Sequence, residues 1–353
     1  MASLQASDIQ DLANGTLADL GRFRMVDIAS DIREFIAVDR LLAKGKVKVG
    51  SGESLKWNLL ERGDDNAKNV GLFNRDNTNV KPGTFILEAP WRHTQTSCAF
   101  DVREVLMNRS PSKIVDIVKE RRQMAAVGLV ELMEANFWDG PTDSTDTDTP
   151  WGLCKYILGY NASSGFYGSD GNYGSTYGQS AATKTRLKHY TFQYTSVTES
   201  DLIDSIRDTL VYTNFKPVVK NSPVPDYVRG SQRVMYTVWP TVRSAEKLAR
   251  DNNESLGSDL DKYHGEVRIQ RVPLVEAPYL TENKSTSCPV IGIDWKQMQC
   301  CVLGSNWMSD GKFKPKDGQH NVMEMFTDSS YQFRVLNRRK GVWLGAKSSP
   351  VSS

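Results

Sequence analysis

The side chains best suited to proton transfer or metal binding in this chain are four histidines, His93, His189, His264 and His320. They stand far apart. None has a second His or a Cys at the short spacing that a zinc site requires. Surface or hydrogen-bonded histidines are therefore expected. Asp139, Asp143, Asp146 and Asp148 resemble a calcium loop in their acid content. They lack the central Gly and the closing Glu of that motif, so a solvated loop is expected. The cysteines, Cys98, Cys154, Cys288, Cys300 and Cys301, are odd in number and scattered, with no CxxC. Neighbours such as Cys300 and Cys301 do not easily bridge, so buried reduced thiols are expected. Gly50-Ser51-Gly52 lacks the third glycine of a dinucleotide fingerprint, and no nucleophile elbow or Walker loop is present. No catalytic, cofactor-binding or metal-ligating residue is assigned, and no enzyme is expected.

Charge excludes a further class. Lys and Arg total 44 against 42 Asp and Glu, a net charge of +2. A dedicated nucleic-acid binder carries a concentrated basic excess. Lys119, Arg121 and Arg122 form a small basic cluster that weakly contacts a polyanion or, as we favour, is a solvated helix face. The first residues carry no basic leader or apolar run, so no signal peptide is expected. No stretch reaches the roughly 18 apolar residues of a membrane span.

With no chemistry to position, the elements themselves become informative. The chain of 353 residues is 39% hydrophobic and long enough for two or three packed units. Residues 1–43 are amphipathic, with Ile9, Leu12, Leu17, Leu20, Ile28, Ile32, Phe35 and Ile36 at helical spacing. Such an arm has too little surface for its own core and must pack on its own subunit or a neighbour. Lys46 to Val49 and Ser54 to Leu59 alternate as half-buried strands. A polar stretch follows, and Thr84 to Trp91 and Thr96 to Phe100 return as strand. The pattern predicts a long β-hairpin with a wide polar tip.

The longest feature is a helix over 110–140. Ser110 is a plausible N-cap with Pro111 at the first helical position, and Gly140-Pro141 stops the run. Ile114, Ile117, Val118, Met124, Ala125, Gly128, Leu129 and Leu132 are read as one apolar stripe. After an acidic loop the chain reaches Trp151-Gly152-Leu153. Residues 159–180 are rich in Gly, Ser and Tyr. Thr198 to Asp201 reads as a capping signature before Leu202 and Ile206. Val234–Val238, Val267–Leu274 and Pro289–Ile293 read as strands. Pro240-Thr241-Val242 opens a helix. Two strands joined by a turn, Tyr331–Leu336 and Gly341–Ala346, close an α+β chain.

The order of these parts resembles the major capsid protein of tailed double-stranded DNA phages, the HK97-like capsid fold. Thr16 to Gly21 with Lys46-Val47-Lys48-Val49 and Leu55-Lys56-Trp57 resembles the family's arm and extended loop. Asp139-Gly140 through Trp151-Gly152-Leu153 resembles its helix exit. Val197 to Leu202, Ile291 to Trp295 and Phe333 to Trp343 resemble later parts. The resemblance implies an N-terminal arm at 1–43 and an extended β-hairpin loop at 44–100. It implies a peripheral domain at 101–157 with spine helix 110–140, an axial domain at 158–315, and a return to the peripheral domain at 316–353. It implies self-assembly as hexamers and pentamers into an icosahedral shell around double-stranded DNA, held by weak non-specific contact. A separate scaffolding protein, a portal and cement proteins are implied partners, with assembly in the host cytoplasm and residence in the virion. Some relatives cross-link an extended-loop Lys to a neighbour's Asn. Lys68, Lys81 and Asn337 lie in the corresponding regions, though no motif pins the trio. An encapsulin-type shell, and an α+β enzyme with an unrecognised site, are the alternatives.

Overall fold

A computed structural model describes residues 34–43, 47–60, 69, 71, 84–104, 111–141, 145–157, 164–167, 187–214, 232–251 and 267–348. Most of the arm, the hairpin tip and the Tyr-rich segment lie outside the described residues.

Two large sheets and one long helix make the frame. The first sheet runs β1 (Val47–Gly50), β11 (Met298–Leu303), β14 (Gln319–Val335) and β12 (Ser309–Asp310), with β4 (Arg92–Asp101) and β13 (Lys314–Lys316) also on β14. The second runs β5 (Gly165–Tyr167), β6 (His189–Tyr194), β15 (Val342–Lys347), β10 (Val290–Asp294), β7 (Arg233–Thr237), β9 (Val272–Glu276) and β8 (Val267–Ile269). A separate ribbon pairs β2 (Ser54–Leu60) with β3 (Thr84–Pro90), antiparallel from Ser54 opposite Pro90 to Leu60 opposite Thr84. The two flanking stretches leave the ribbon for the first sheet. There β1 lies parallel to β11, and β4 pairs with β14 over Arg92–Asp101. Trp91 closes the ribbon's base, donating its indole N–H to Gly52 O at 2.9 Å.

Helix α2 spans Pro111–Asp139, a length of roughly 43 Å at 1.5 Å per residue. The Gly140 N–H still bonds Asn136 O at 3.0 Å, and Pro141 then ends the helix. Its buried stripe differs from the expected one. Val118, Ala125 and Leu129 are buried as expected, and Val130, Met133, Phe137 and Trp138 join them. Met124, Gly128 and Leu132 are exposed, while Ile114 and Ile117 have side chains outside those described. The reason is uneven cover. Among the described residues, the first half packs through Val118 and Ala125 against Cys98, Phe100, Phe313, Met323 and Met325. The second half is wrapped by both sheets and by helix α1 (Ile36–Leu42).

Three further expectations change. The stretch Val267–Leu274 is two strands, not one. Gln270 and Arg271 take positive φ of 48° and 68° and turn the chain back, so β8 and β9 pair antiparallel. The closing strands do not pair with each other. After β14 a one-turn helix, α7 (Arg338–Gly341), sends β15 into the second sheet beside β6 and β10. Thr198 makes no side-chain cap. The Asp201 carboxylate instead accepts from the backbone N–H groups of Thr195 and Ser196, both at 2.8 Å. A π-turn, Glu199–Ile203, then leads into α4 (Asp204–Tyr212).

Candidate assembly junction

The last turn and a half of α2 brings the parts together. Glu134 is 1% exposed, yet it is a carboxylate. Its Oε1 accepts from Ala37 N–H at 3.1 Å and from the Trp138 indole N–H at 2.7 Å. Its Oε2 accepts from Val38 N–H at 2.9 Å. Ala37 and Val38 are in the first turn of α1, and Phe35 at its N-cap position makes no side-chain cap. The arm helix is thus capped by a side chain of the spine, 96 residues away. A helix start carries unpaired N–H groups and a partial positive charge, and a carboxylate answers both. Burial pushes the Glu134 carboxyl above its ordinary value, and the three donors pull against that shift.

The next residues aim at the two sheets. Phe137 stacks on Trp295 with centroids 5.7 Å apart and meets Phe333 edge-on at 5.5 Å. Trp138 meets Tyr236 edge-on at 5.6 Å. Trp295 donates its indole N–H to the Tyr236 hydroxyl at 3.0 Å. Phe333 belongs to the first sheet and Tyr236 to the second, so the helix end is common to both cores. Asp139 then accepts from the Tyr279 hydroxyl at 3.0 Å and pairs with Lys284 at 3.0 Å. Tyr279 sits in helix α6 (Pro278–Asn283). Gly152 fits here because a Cβ would lie 2.0 Å from Asn136 O.

A second clamp centres on Gln332, which is fully buried. Its Oε1 accepts from Trp151 N–H at 2.6 Å, and its Nε2 donates to Pro90 O at 2.8 Å. One amide holds the ribbon's end, the segment after the acidic loop and β14. At the chain's close, Asn337 Oδ1 caps α7 by accepting from the N–H groups of Arg339 and Lys340 at 3.1 and 3.4 Å. Arg338, which is buried, donates to Tyr156 O at the end of helix α3 (Leu153–Tyr156) and lies 3.1 Å from His189 Nδ1.

Among the described residues, those weighed for chemistry do not converge, and Asp143 lies outside the described residues. His93 is exposed and bonds Ser330 Oγ at 2.7 Å, His189 is buried in the Arg338 contact, His320 is exposed, and His264 lies outside the described residues. Among the described residues, no group of three or more His, Cys, Asp or Glu could hold a metal ion. Asp146 folds the acidic loop on itself, accepting from Asp148 and Thr149 N–H. All five thiols are unbridged. Burial raises the thiols of Cys98 and Cys154 to about 11 and also pushes up those of Cys300 and Cys301. Of the basic cluster, Arg122 pairs with Asp310, with both side chains largely covered, and Arg121 stands 3.8 Å from Glu104. Arg122 therefore serves the joint between α2 and the first sheet, and Lys119 remains exposed. Asn337 is occupied as a helix cap, and Lys68 and Lys81 lie outside the described residues. Local sequence gives little sign of the Glu134 and Gln332 clamps. A carboxylate at a position flanked by apolar Met133 and Phe137 was the one available signal.

No protein-family model matches the chain, and no curated protein matches it. Solved structures do match. The capsid of a native GTA particle superposes with a TM-score of 0.58 at 11% identity, over 95% of this chain and 99% of that one. The capsid of cyanophage A-1(L) gives 0.57 at 12% identity, over 94% and 98%. The encapsulin of a holo complex from Synechococcus elongatus gives 0.53 at 10% identity, over 100% and 98%. The chain has the HK97-like capsid fold.

Proposed function

We propose that this protein is the shell-forming subunit of a tailed-phage capsid, assembling as hexamers and pentamers around double-stranded DNA. The observation that carries the reading is the extent of the structural likeness, which spans nearly the whole of this chain and of the phage capsid chains alike. The junction geometry agrees with it. Helix α1, ribbon, two sheets and spine are fixed to one another by buried polar clamps and an aromatic hub, while the described residues able to do chemistry are dispersed. We divide the chain accordingly into arm 1–43, extended loop 44–100, peripheral domain 101–157, axial domain 158–315 and a return at 316–353, with strand pairing crossing these boundaries at β1, β4, β11 and β15. A separate scaffolding protein, a portal, cement proteins, and assembly in the host cytoplasm belong to the same reading.

The encapsulin likeness keeps a second reading, a compartment shell with protein cargo. Electron microscopy of the purified protein and of particles separates them. Large shells with DNA support the phage reading. Small shells holding protein favour the compartment, and a monomer or small oligomer overturns both. Denaturing electrophoresis of the particles tests covalent joining: a monomer band rejects it and a ladder supports it.

A further inference from the structure

Two helices on one face of the second sheet carry exposed stripes that match each other. The buried sides of α4 and α5 (Trp239–Asp251) share one core through Ile206, Leu210, Val242 and Ala245 with Phe192, Met235 and Leu274. Helix α4 packs on β6, and α5 packs on β8 and β9. Strands β15, β10 and β7 lie between, so the helices sit toward opposite ends of the sheet. Each helix turns its other side outward.

On α4 the outward residues are Asp204, Arg207, Asp208, Val211 and Tyr212. Val211 is 62% exposed and Tyr212 58%. Arg207 is held by its own carboxylates, Asp204 at 2.9 Å and Glu199 at 3.6 Å, which leaves Asp208 as the outward charge of the middle turn. Tyr212 is not loose, since it stacks on Tyr190 with centroids 5.7 Å apart. The stripe is acidic at its start and apolar at its end. On α5 the order is reversed. Trp239, 44% exposed, stands at the start, and Arg243 and Lys247 follow on the same face, both exposed.

Residues four apart lie one above another on a helix. The series Trp239, Arg243, Lys247 and the reversed series Tyr212, Asp208, Asp204 share that spacing. Two antiparallel helices therefore place Trp239 on Tyr212 and Val211, Arg243 on Asp208, and Lys247 on Asp204. Tyr, Trp and Arg are enriched at interfaces, and complementary charges set which patches meet and in what register.

We propose that the α4 stripe of one subunit docks antiparallel on the α5 stripe of a second copy of this chain. The contact joins two different patches, so one copy keeps its α5 stripe free and the other its α4 stripe, and the contact repeats from subunit to subunit. Such a heterologous contact closes into a ring when the rotation allows. The inference rests on the shell reading and names one contact by which its subunits recognise each other.

Charge reversal with rescue is the test. Asp208→Lys and Arg243→Asp are made singly and together, with folding checked by circular dichroism, and assembly is read by sedimentation velocity and electron microscopy. Each single reversal is expected to lower the assembled fraction at least tenfold, and the double variant to restore it. Wild-type shells with single reversals that assemble equally well overturn the docking and leave the shell reading intact. If the wild type forms no shells, the shell reading fails. The docking is then judged by oxidising a mixture of Tyr212→Cys and Trp239→Cys chains. A mixed disulfide dimer exceeding both single-variant controls supports it, and none overturns it.

Discussion

Removing the Glu134 carboxylate should free the arm from the spine. Glu134→Ala leaves three donors without their acceptor, the N–H groups of Ala37 and Val38 and the Trp138 indole. Loss of an N-cap costs about 0.5–2 kcal/mol, and a buried donor left unpaired costs about 1–3 kcal/mol. Relief of the carboxylate's own desolvation offsets part of this, so we expect a net loss of about 3 kcal/mol. Glu134→Gln keeps one acceptor oxygen and should lose about half as much. Amide hydrogen exchange reads the effect locally, at Ala37 and Val38, and a factor near a hundred in protection corresponds to about 3 kcal/mol. The sign of the pH dependence follows from the raised carboxyl. The docked state binds the proton more tightly than the undocked state, so docking weakens as pH rises from the ordinary value of 4.5 through the raised one. Glu134→Gln should abolish that slope. Unchanged exchange at Ala37 and Val38 in Glu134→Ala would refute the trans-cap reasoning.

Gln332→Leu should remove the Trp151 and Pro90 bonds together and lower stability by about 2–3 kcal/mol in denaturant unfolding. Gly292→Ala should destabilise by about 3 kcal/mol or fail to fold, because its Cβ would stand 1.9 Å from the Trp343 ring, and thermal unfolding measures it. Replacing Gln270-Arg271 by Asn-Gly should raise stability by about 1 kcal/mol in the same assay, since both residues hold positive φ. The thiols of Cys98, Cys154, Cys300 and Cys301 should react slowly with a disulfide reagent at pH 8 and all react once the chain is unfolded, because burial keeps them protonated.

The fold was legible where local chemistry decides. Pro111 and Gly140-Pro141 bound the long helix because their backbone limits act without help from elsewhere. The ribbon's alternation was legible because one face is half-buried. The buried stripe of α2 was misread because its second half is wrapped by partners distant in sequence, so Glu134 turned inward and Leu132 outward. Turns set by positive φ at Gln270 and Arg271 gave no signal, because neither residue favours that region. The partition of strands between sheets was hidden for the same reason as the clamps. Strand β15 reaches the second sheet because Asn337 caps a single turn and Arg338 anchors it to Tyr156.

The clustering of these anchors has a mechanical consequence. Residues 134, 137, 138 and 139 crowd around one helix end, and together they hold four parts: α1, the first sheet, the second sheet and α6. Protein cores are close-packed and transmit strain, so parts joined through one aromatic hub move together. Bending between the two sheets would have to separate Phe137 from Trp295 and Phe333 at the same time. Relative motion is therefore concentrated in what the hub does not hold, the β2–β3 ribbon beyond the Trp91–Gly52 closure. In the proposed shell, the second sheet held by this hub would present α4 and α5 to neighbouring subunits at fixed angles.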